Sequence, residues 1–258
     1  MPNLSPGERF QGERLQKVLS QLGLGSRREA EVWIRAGRLT VNGKPAVLGM
    51  RVNHDDQLKL DGRTIRRAHA IVDAPVFLCH RSPGEPLLPA RANAAAAQSA
   101  AGVSIAERLP RRSGRRFISV SPMPTVDGGL ELLTADGAIA ERLQRAVHDL
   151  EGEFSLRVRG ELSEEQRAAI CAGALDSGAT VRVLELEPSG GEGSNRWYRL
   201  IAVGGSGNEI RQLLERQAVT LVRMLRTRLG QLELPRTLAR SHWRELTPEE
   251  LSALLSKA

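Results

Sequence analysis

The chain has 258 residues, 41% apolar, only 3% aromatic and 26% charged, with a formal net charge of +7. That length suits a small module plus a medium domain. No stretch approaches the ~20 consecutive apolar residues of a membrane span, which excludes a helical membrane protein. Cys79 and Cys171 lie far apart, and His54, His69, His80, His148 and His242 show no ligand spacing. The expectation is a reduced, cytoplasmic protein with no metal. The charge is uneven. Residues 1–70 carry 13 Lys/Arg against 7 Asp/Glu, whereas residues 71–258 carry 24 against 23. A basic small module joined to a near-neutral larger one points to an electrostatic nucleic-acid reader attached to something else.

After a tail at 1–11 that is expected to be disordered, Leu15, Val18, Leu19 and Leu22 recur at helical spacing within Arg14–Leu22. Gly23 and Gly25 end that helix. Ser26-Arg27-Arg28-Glu29 is a capping box for a second helix, in which the Ser hydroxyl takes a free amide and Glu29 reaches back. This helix is predicted to run to Ala36, to stop at Gly37 and to bury Ala30, Trp33 and Ile34. Leu39–Val41 is a short strand, Asn42-Gly43 a hairpin turn, and a further strand lies near Leu58–Leu60.

In one register, Arg14, Leu15, Lys17, Ser26–Ala30, Ile34, Gly37, Val41, Asn42 and Gly43 resemble the S-four-type RNA-binding domain, also called the αL module. The resemblance assigns residues 12–66 to that domain. It implies that Arg14, Lys17, Ser26, Arg27, Arg28, Arg35, Arg38, Asn42 and Lys44 face RNA. Free amides at a helix start already favour an anion, and arginine forks suit phosphates.

Residues 67–74 read as a linker, and 75–258 as one larger domain. Val76–Cys79 is its first strand. The Ala-rich segment 93–102 is low in complexity and carries no assigned function. The run 111–116 reads as an exposed basic loop. Beyond the segment Phe117–Gly137, Ala138–Val147 is helical with Asp136 as N-cap. Glu153–Val158 is a strand, Ser163-Glu164-Glu165-Gln166 opens a further helix, and Val181–Leu186 and Trp197–Val203 are strands.

Ile118-Ser119-Val120-Ser121-Pro122-Met123-Pro124-Thr125-Val126-Asp127-Gly128-Gly129-Leu130-Glu131-Leu132-Leu133-Thr134-Ala135-Asp136-Gly137 resembles the hallmark V-G-R-L-D-x-x-T-x-G-L-L-L-x-T-x-D-G of the RsuA-like pseudouridine synthases. The flanks match without a gap. Arg81–Gly84, Glu153–Leu156 and Trp243–Leu251 resemble the same family, Ile105–Pro110 resembles its short helix before the hallmark and Gly205–Leu214 its later helix start, so the resemblance covers nearly the whole chain. It implies an α+β protein, the small αL module followed by a larger domain with a mostly antiparallel mixed sheet flanked by helices. It also implies cofactor-free isomerisation of uridine in structured RNA, ribosomal RNA being expected, by a monomer.

The family's reaction uses an Asp that captures or steadies the detached sugar, an Arg that pairs with it, and a Tyr that stacks or accepts a proton. In this frame the Asp position is Pro124, the Arg position Pro122 and the Tyr position Phe154. Two basic residues of the helix start at 205–214 are also replaced, while Arg211 is kept. No catalytic residue is intact. Asp127, at the family's Thr position, is the alternative carboxylate. A general base must come within ~3 Å of its target, and a three-residue offset moves a side chain farther than that. Asp127-Gly128 reads as a turn. A residual pocket is expected between the Ser121–Asp127 loop, Phe154 and Arg211. Three functions fit: an RNA-binding family member with isomerase activity lost or much reduced, an active synthase using Asp127, or an interaction scaffold with residual RNA affinity.

Overall fold

A computed structural model describes residues 12–22, 24–65, 75–89, 102–110, 116–191 and 193–256. The expected tail 1–11, the linker 67–74, the Ala-rich run up to residue 101 and the basic run 111–115 lie outside these. The chain divides into two compact units, one of residues 1–74 with 112–116, the other of 75–111 with 117–258. No helix among the described residues is long and apolar enough to cross a membrane.

In the first unit, β1 (Glu13–Arg14) leads into α1 (Leu15–Gln21), and α2 (Arg27–Arg35) follows. The Ser26 hydroxyl accepts from the Glu29 amide and the Glu29 carboxylate accepts from the Ser26 amide, so both groups of the capping box are satisfied. The helix ends at Ala36, with Gly37 at φ 67°. β2 (Leu39–Val41) and β3 (Lys44–Pro45) form a hairpin whose two turn residues, Asn42 and Gly43, have φ of 51° and 79°. Both angles are left-handed, as a tight hairpin turn demands and as Asn-Gly tolerates. β4 (Arg51–Val52) pairs with β1, while β5 (Leu58–Leu60) and β6 (Arg63–Ile65) complete a sheet of order β3-β2-β5-β6. Leu15, Leu19, Ala30, Ile34, Leu39 and Leu58 fill its core. Trp33, expected inside, is only half-buried. It packs on Gly25, where any Cβ would strike its ring, and lies 6.0 Å under the Arg38 guanidinium.

The second unit is built on a nine-stranded sheet. Its strands are β7 (Val76–Arg81), β8 (Ile118–Val120), β9 (Gly128–Thr134), β10 (Glu151–Arg159), β11 (Arg182–Gly190), β12 (Asn195–Val203), β13 (Leu221–Leu229), β14 (Leu232–Glu233) and β15 (Trp243–Glu245). The order is β11-β12-β10-β13-β9-β7-β15, with β14 on β13 and β8 on β9. Every pairing is antiparallel except the short parallel contact of β13 with β9, Leu225 opposite Gly128 and Arg226 opposite Gly129. Two antiparallel halves therefore meet at one seam. That seam requires glycine. A side chain at Gly128 would collide with the Arg81 carbonyl and one at Gly129 with the Arg226 carbonyl, and Gly129 has φ 95°.

Among the described residues the helices are α3 (Ile105–Arg108), α4 (Gly137–Ala146), α5 (Glu164–Cys171), α6 (Gly207–Glu215) and α7 (Pro248–Leu255). Asp136 caps α4, and complete capping boxes open α5, α6 and α7. Phe154, Leu156, Leu200 and Met224 bury one face of the first half-sheet under Ile170 of α5 and Ile210 and Leu213 of α6. In the second half, Leu78, Leu130 and Leu132 pack with Leu143 of α4 and Leu254 of α7. Each such leucine contributes about 1.5–3 kcal/mol by leaving water. The expected Asp127-Gly128 turn is corrected. The Asp127 amide bonds to the Pro124 carbonyl, so the turn spans Pro124–Asp127 and Gly128 already opens β9.

Candidate active site and nucleic-acid interface

The loop from Ser121 to Asp127 enters the seam, and buried charges pin it there. Arg81, Glu131 and Arg226 are 1%, 0% and 1% exposed. The Glu131 Oε1 accepts from Arg81 Nε at 2.9 Å and from the Met123 amide at 3.0 Å, and its Oε2 accepts from Arg226 Nη2 at 3.3 Å. Arg81 Nη2 donates to the carbonyls of Met123 and Pro124, both at 2.8 Å. Arg226 donates to the carbonyls of Leu130 and Ser121. Burial pushes the Glu131 carboxyl above its ordinary range, against the pull of Arg226, Arg81 and the Met123 amide. Three charges without water are tolerable because Glu131 has bonds on both oxygens and the guanidiniums reach backbone carbonyls as well. Ser121 takes the left-handed φ of 49°, where the hallmark it resembles has Gly.

Asp127 is fully buried. Its Oδ1 accepts from Arg211 Nη2 at 2.8 Å and from the Met224 amide at 2.9 Å, and its Oδ2 accepts from Arg211 Nε at 3.0 Å. This is a two-pronged arginine–carboxylate pair closed by a third donor. It raises the Arg211 pKa further, chiefly through the hydrogen bond to Asp127. Pro124 itself is half-buried and Pro122 exposed. The Pro124 ring and Met123 lie against the first residue of α6, where a Cβ on Gly207 would come within 2.7 Å of Pro124 Cδ and of Met123 Sδ. Proline fills the position with a rigid apolar ring and leaves it without an ionisable group.

Beside this loop lies a cavity of about 340 Å³ whose lining includes Ser121, Gln144, His148, Phe154, Ser206 and Arg226. Phe154 is 1% exposed and rests on Gly152. Ser121 of the loop and Phe154 both line the cavity, and its cation is Arg226. Arg211 is not among its lining residues; its guanidinium is forked onto Asp127. Arg226 was missed in the sequence. The signal was an arginine two residues from Met224 on the inward face of an alternating strand. The lining offers hydroxyls, an imidazole, an amide, a guanidinium and an aromatic ring, and no carboxylate. Among the described residues no group of three His, Cys, Asp or Glu could hold a metal ion.

In the first unit, Arg14, Arg27, Arg28, Arg35, Arg38, Asn42 and Lys44 are exposed, while Ser26 and Lys17 are partly so. Arg27 and Arg28 sit at the start of α2 and form no ion pair among the described residues. Several of the others have partners. Lys17 meets Glu13 at 3.1 Å, Arg35 meets Glu31 at 3.9 Å, and Arg38 forks onto Asp61. The Asn42 amide bridges Asp56 and the Gln57 amide, which fixes the turn. Ser26 spends its hydroxyl on the cap.

The "S4 domain" family matches residues 13–58. Ribosomal large subunit pseudouridine synthase B of Pseudomonas aeruginosa is 35% identical over 245 residues, 94% of this chain and 62% of its own length. The proteins of the same name from Haemophilus influenzae and Vibrio cholerae are 34% and 35% identical, over 95% and 94% of this chain and 67% and 74% of their own lengths. This chain belongs to the ribosomal large subunit pseudouridine synthase B family. It spans about three fifths of the length of the first of these relatives. A crystal structure of a pseudouridylate synthase superposes with a TM-score of 0.58 at 17% identity, covering 93% of this chain and 99% of that one, and agrees in fold.

Proposed function

We propose that this chain is an RNA-binding member of the synthase B family whose isomerase activity is lost or much reduced. It holds structured RNA, ribosomal RNA or a ribosomal precursor, through the S-four-type module, as a cytoplasmic monomer. The observation that carries this reading is Pro124 in the nucleophile's position, in a loop whose flanks are matched and whose backbone is bolted to Arg81, Glu131 and Arg226. Without a carboxylate there, nothing captures the sugar or balances its developing positive charge. Phe154 still offers a ring but no proton acceptor. The exposed Arg27 and Arg28 at a capped helix start support RNA binding. The burial of Asp127 and its three donors weigh against a synthase that uses that residue. A pseudouridine map of ribosomal RNA from cells with and without the protein tests the reading. Identical maps, with the protein bound to ribosomal RNA or its precursors, are expected. A uridine whose modification depends on this chain would overturn it.

A further inference from the structure

One face of the half-sheet β11-β12-β10-β13 is covered by α5 and α6. On the other face Ser155, Arg157, Trp197, Arg199, Arg223 and Leu225 are all partly exposed. Charge divides that face in two. At one end Arg199 meets Glu153, Glu185 and Glu187, while Arg228 meets Glu151 and Glu153. At the other end Arg223, Arg157 and Trp197 are direct cross-strand partners in a single row, with Arg159 two residues along. The Arg157 guanidinium lies 5.8 Å from the centroid of the Trp197 ring, and its buried Nε has no acceptor. Among the described residues the side chains of Arg157, Arg159 and Arg223 form no ion pair and no hydrogen bond.

Like charges set directly opposite each other weaken a sheet. The same strands neutralise their arginines with glutamates a few residues away, so the absence of carboxylates here is local. Strands lie ~4.8 Å apart, which puts three arginines and an indole within roughly 10 Å. Guanidinium forks take phosphates in two-pronged fashion, and an indole face accepts any base, because every base has a π-face. We propose that this row is a second RNA contact, on the larger unit, where Arg157, Arg159 and Arg223 hold the backbone of an unpaired strand and Trp197 stacks on one of its bases. The proposal rests on the RNA-binding reading above and adds a surface to it. It favours RNA over an acidic protein segment because arginine forks and a flat aromatic platform stand together.

The test uses the full chain and a fluorescent RNA hairpin carrying an unpaired 3′ extension of about ten nucleotides. Titrations at several salt concentrations compare the native protein with Arg157→Ala/Arg223→Ala, Arg157→Lys/Arg223→Lys and Trp197→Leu, each checked for native circular dichroism. The alanine pair is expected to bind about tenfold more weakly and to lose about 1.4 from the salt slope, two single-strand phosphate contacts. The lysine pair is expected to recover the slope. Trp197→Leu is expected to weaken the extended hairpin and leave a blunt hairpin unaffected. Ultraviolet cross-linking is expected to attach the extension to the peptide containing Trp197. Binding by the alanine pair equal to the native protein's overturns this inference and leaves the RNA-binding reading standing, and so does an acidic protein captured by the native row and lost in that variant. Failure of the native protein to bind either hairpin overturns both.

Discussion

The Arg211 guanidinium closes on the Asp127 carboxylate through two hydrogen bonds, Nη2 to Oδ1 at 2.8 Å and Nε to Oδ2 at 3.0 Å, and the Met224 amide adds a third at 2.9 Å. The pair ties the turn after Pro124 to α6 and to β13 at once. It is a structural clamp: three donors occupy the carboxylate, and burial closes it to solvent.

Removing one side of such a clamp strands the other. Asp127→Ala leaves the partly buried Arg211 and the Met224 amide without their acceptor, and the loss is expected to be about 3–5 kcal/mol. Urea unfolding of Asp127→Ala and Arg211→Met reads it, the second variant leaving the fully buried carboxylate with only the Met224 amide. A variant of native stability would show that the clamp carries no weight.

Glu131 stands where the hallmark it resembles has leucine. Substituting that leucine here is nevertheless expected to destabilise by several kcal/mol, because Arg81 and Arg226 would stay buried without a counter-charge. A double-mutant cycle pairing Glu131→Leu with Arg226→Met tests it. The double variant should regain part of the loss, and simple additivity would contradict the coupling.

Acid sensitivity is expected at the start of α7. Arg244 holds Glu250 through Nη1–Oε2 and Nη2–Oε1 bonds of 2.7 and 2.6 Å, and the hydrogen bond to Arg244 is the main cause of a Glu250 pKa below its usual 4.5. A depressed folded pKa contributes stability that is full above the unfolded value and disappears as pH falls through the folded one. Between about pH 6 and pH 3 the native protein should therefore lose stability more steeply than Glu250→Gln. Parallel curves would show that the pair contributes nothing. Its partial exposure keeps the expected difference to within about 1 kcal/mol.

RNA affinity is expected to depend on Arg27 and Arg28, exposed at the start of α2 beside a satisfied cap. Replacing both with Ala should weaken binding of structured ribosomal RNA and lower the salt slope by about 0.7–0.9 per lost phosphate contact. An unchanged slope in a salt titration would remove these residues from the interface.

Much of the architecture was readable because local chemistry agreed with the fold. The boxes at Ser26 and Ser163, the Asp136 cap and the Asn42-Gly43 turn each fix a boundary through groups within a few residues of one another. The site was less readable because its partners are distant in sequence. Nothing local says that Arg226 reaches Ser121 and Glu131, or that Arg211 turns onto Asp127. Those contacts exist only once the parallel seam has formed. The Asp127-Gly128 turn was misread for a related reason. Gly128 resembles a turn residue, but the seam needs it as the strand residue that lets Arg81 approach.

Restoring the missing carboxylate alone should not restore catalysis. Pro124→Asp would place a carboxylate on the loop, but the cations around it are already committed. Arg211 is forked onto Asp127, while Arg81 and Arg226 share Glu131 and the loop carbonyls. In the frame of the hallmark resemblance the Arg position falls on Pro122 and the Tyr position on Phe154, so on that reading neither the partner of the new Asp nor a proton acceptor returns with it. The new side chain would also stand against Gly207, whose lack of a Cβ now accommodates the Pro124 ring at close contact. An enzyme must supply about 8 kcal/mol or more of barrier reduction, and each tenfold of rate is worth about 1.4 kcal/mol, so an unpartnered carboxylate falls well short. The expected outcome is background pseudouridine formation by the native protein and by Pro124→Asp on deproteinised ribosomal RNA from cells lacking the protein. The triple variant Pro122→Arg/Pro124→Asp/Phe154→Tyr is the one in which activity should first appear. Robust activity in the native protein that vanishes in Asp127→Ala, at a temperature where that variant is still folded, would overturn this account and return catalysis to Asp127.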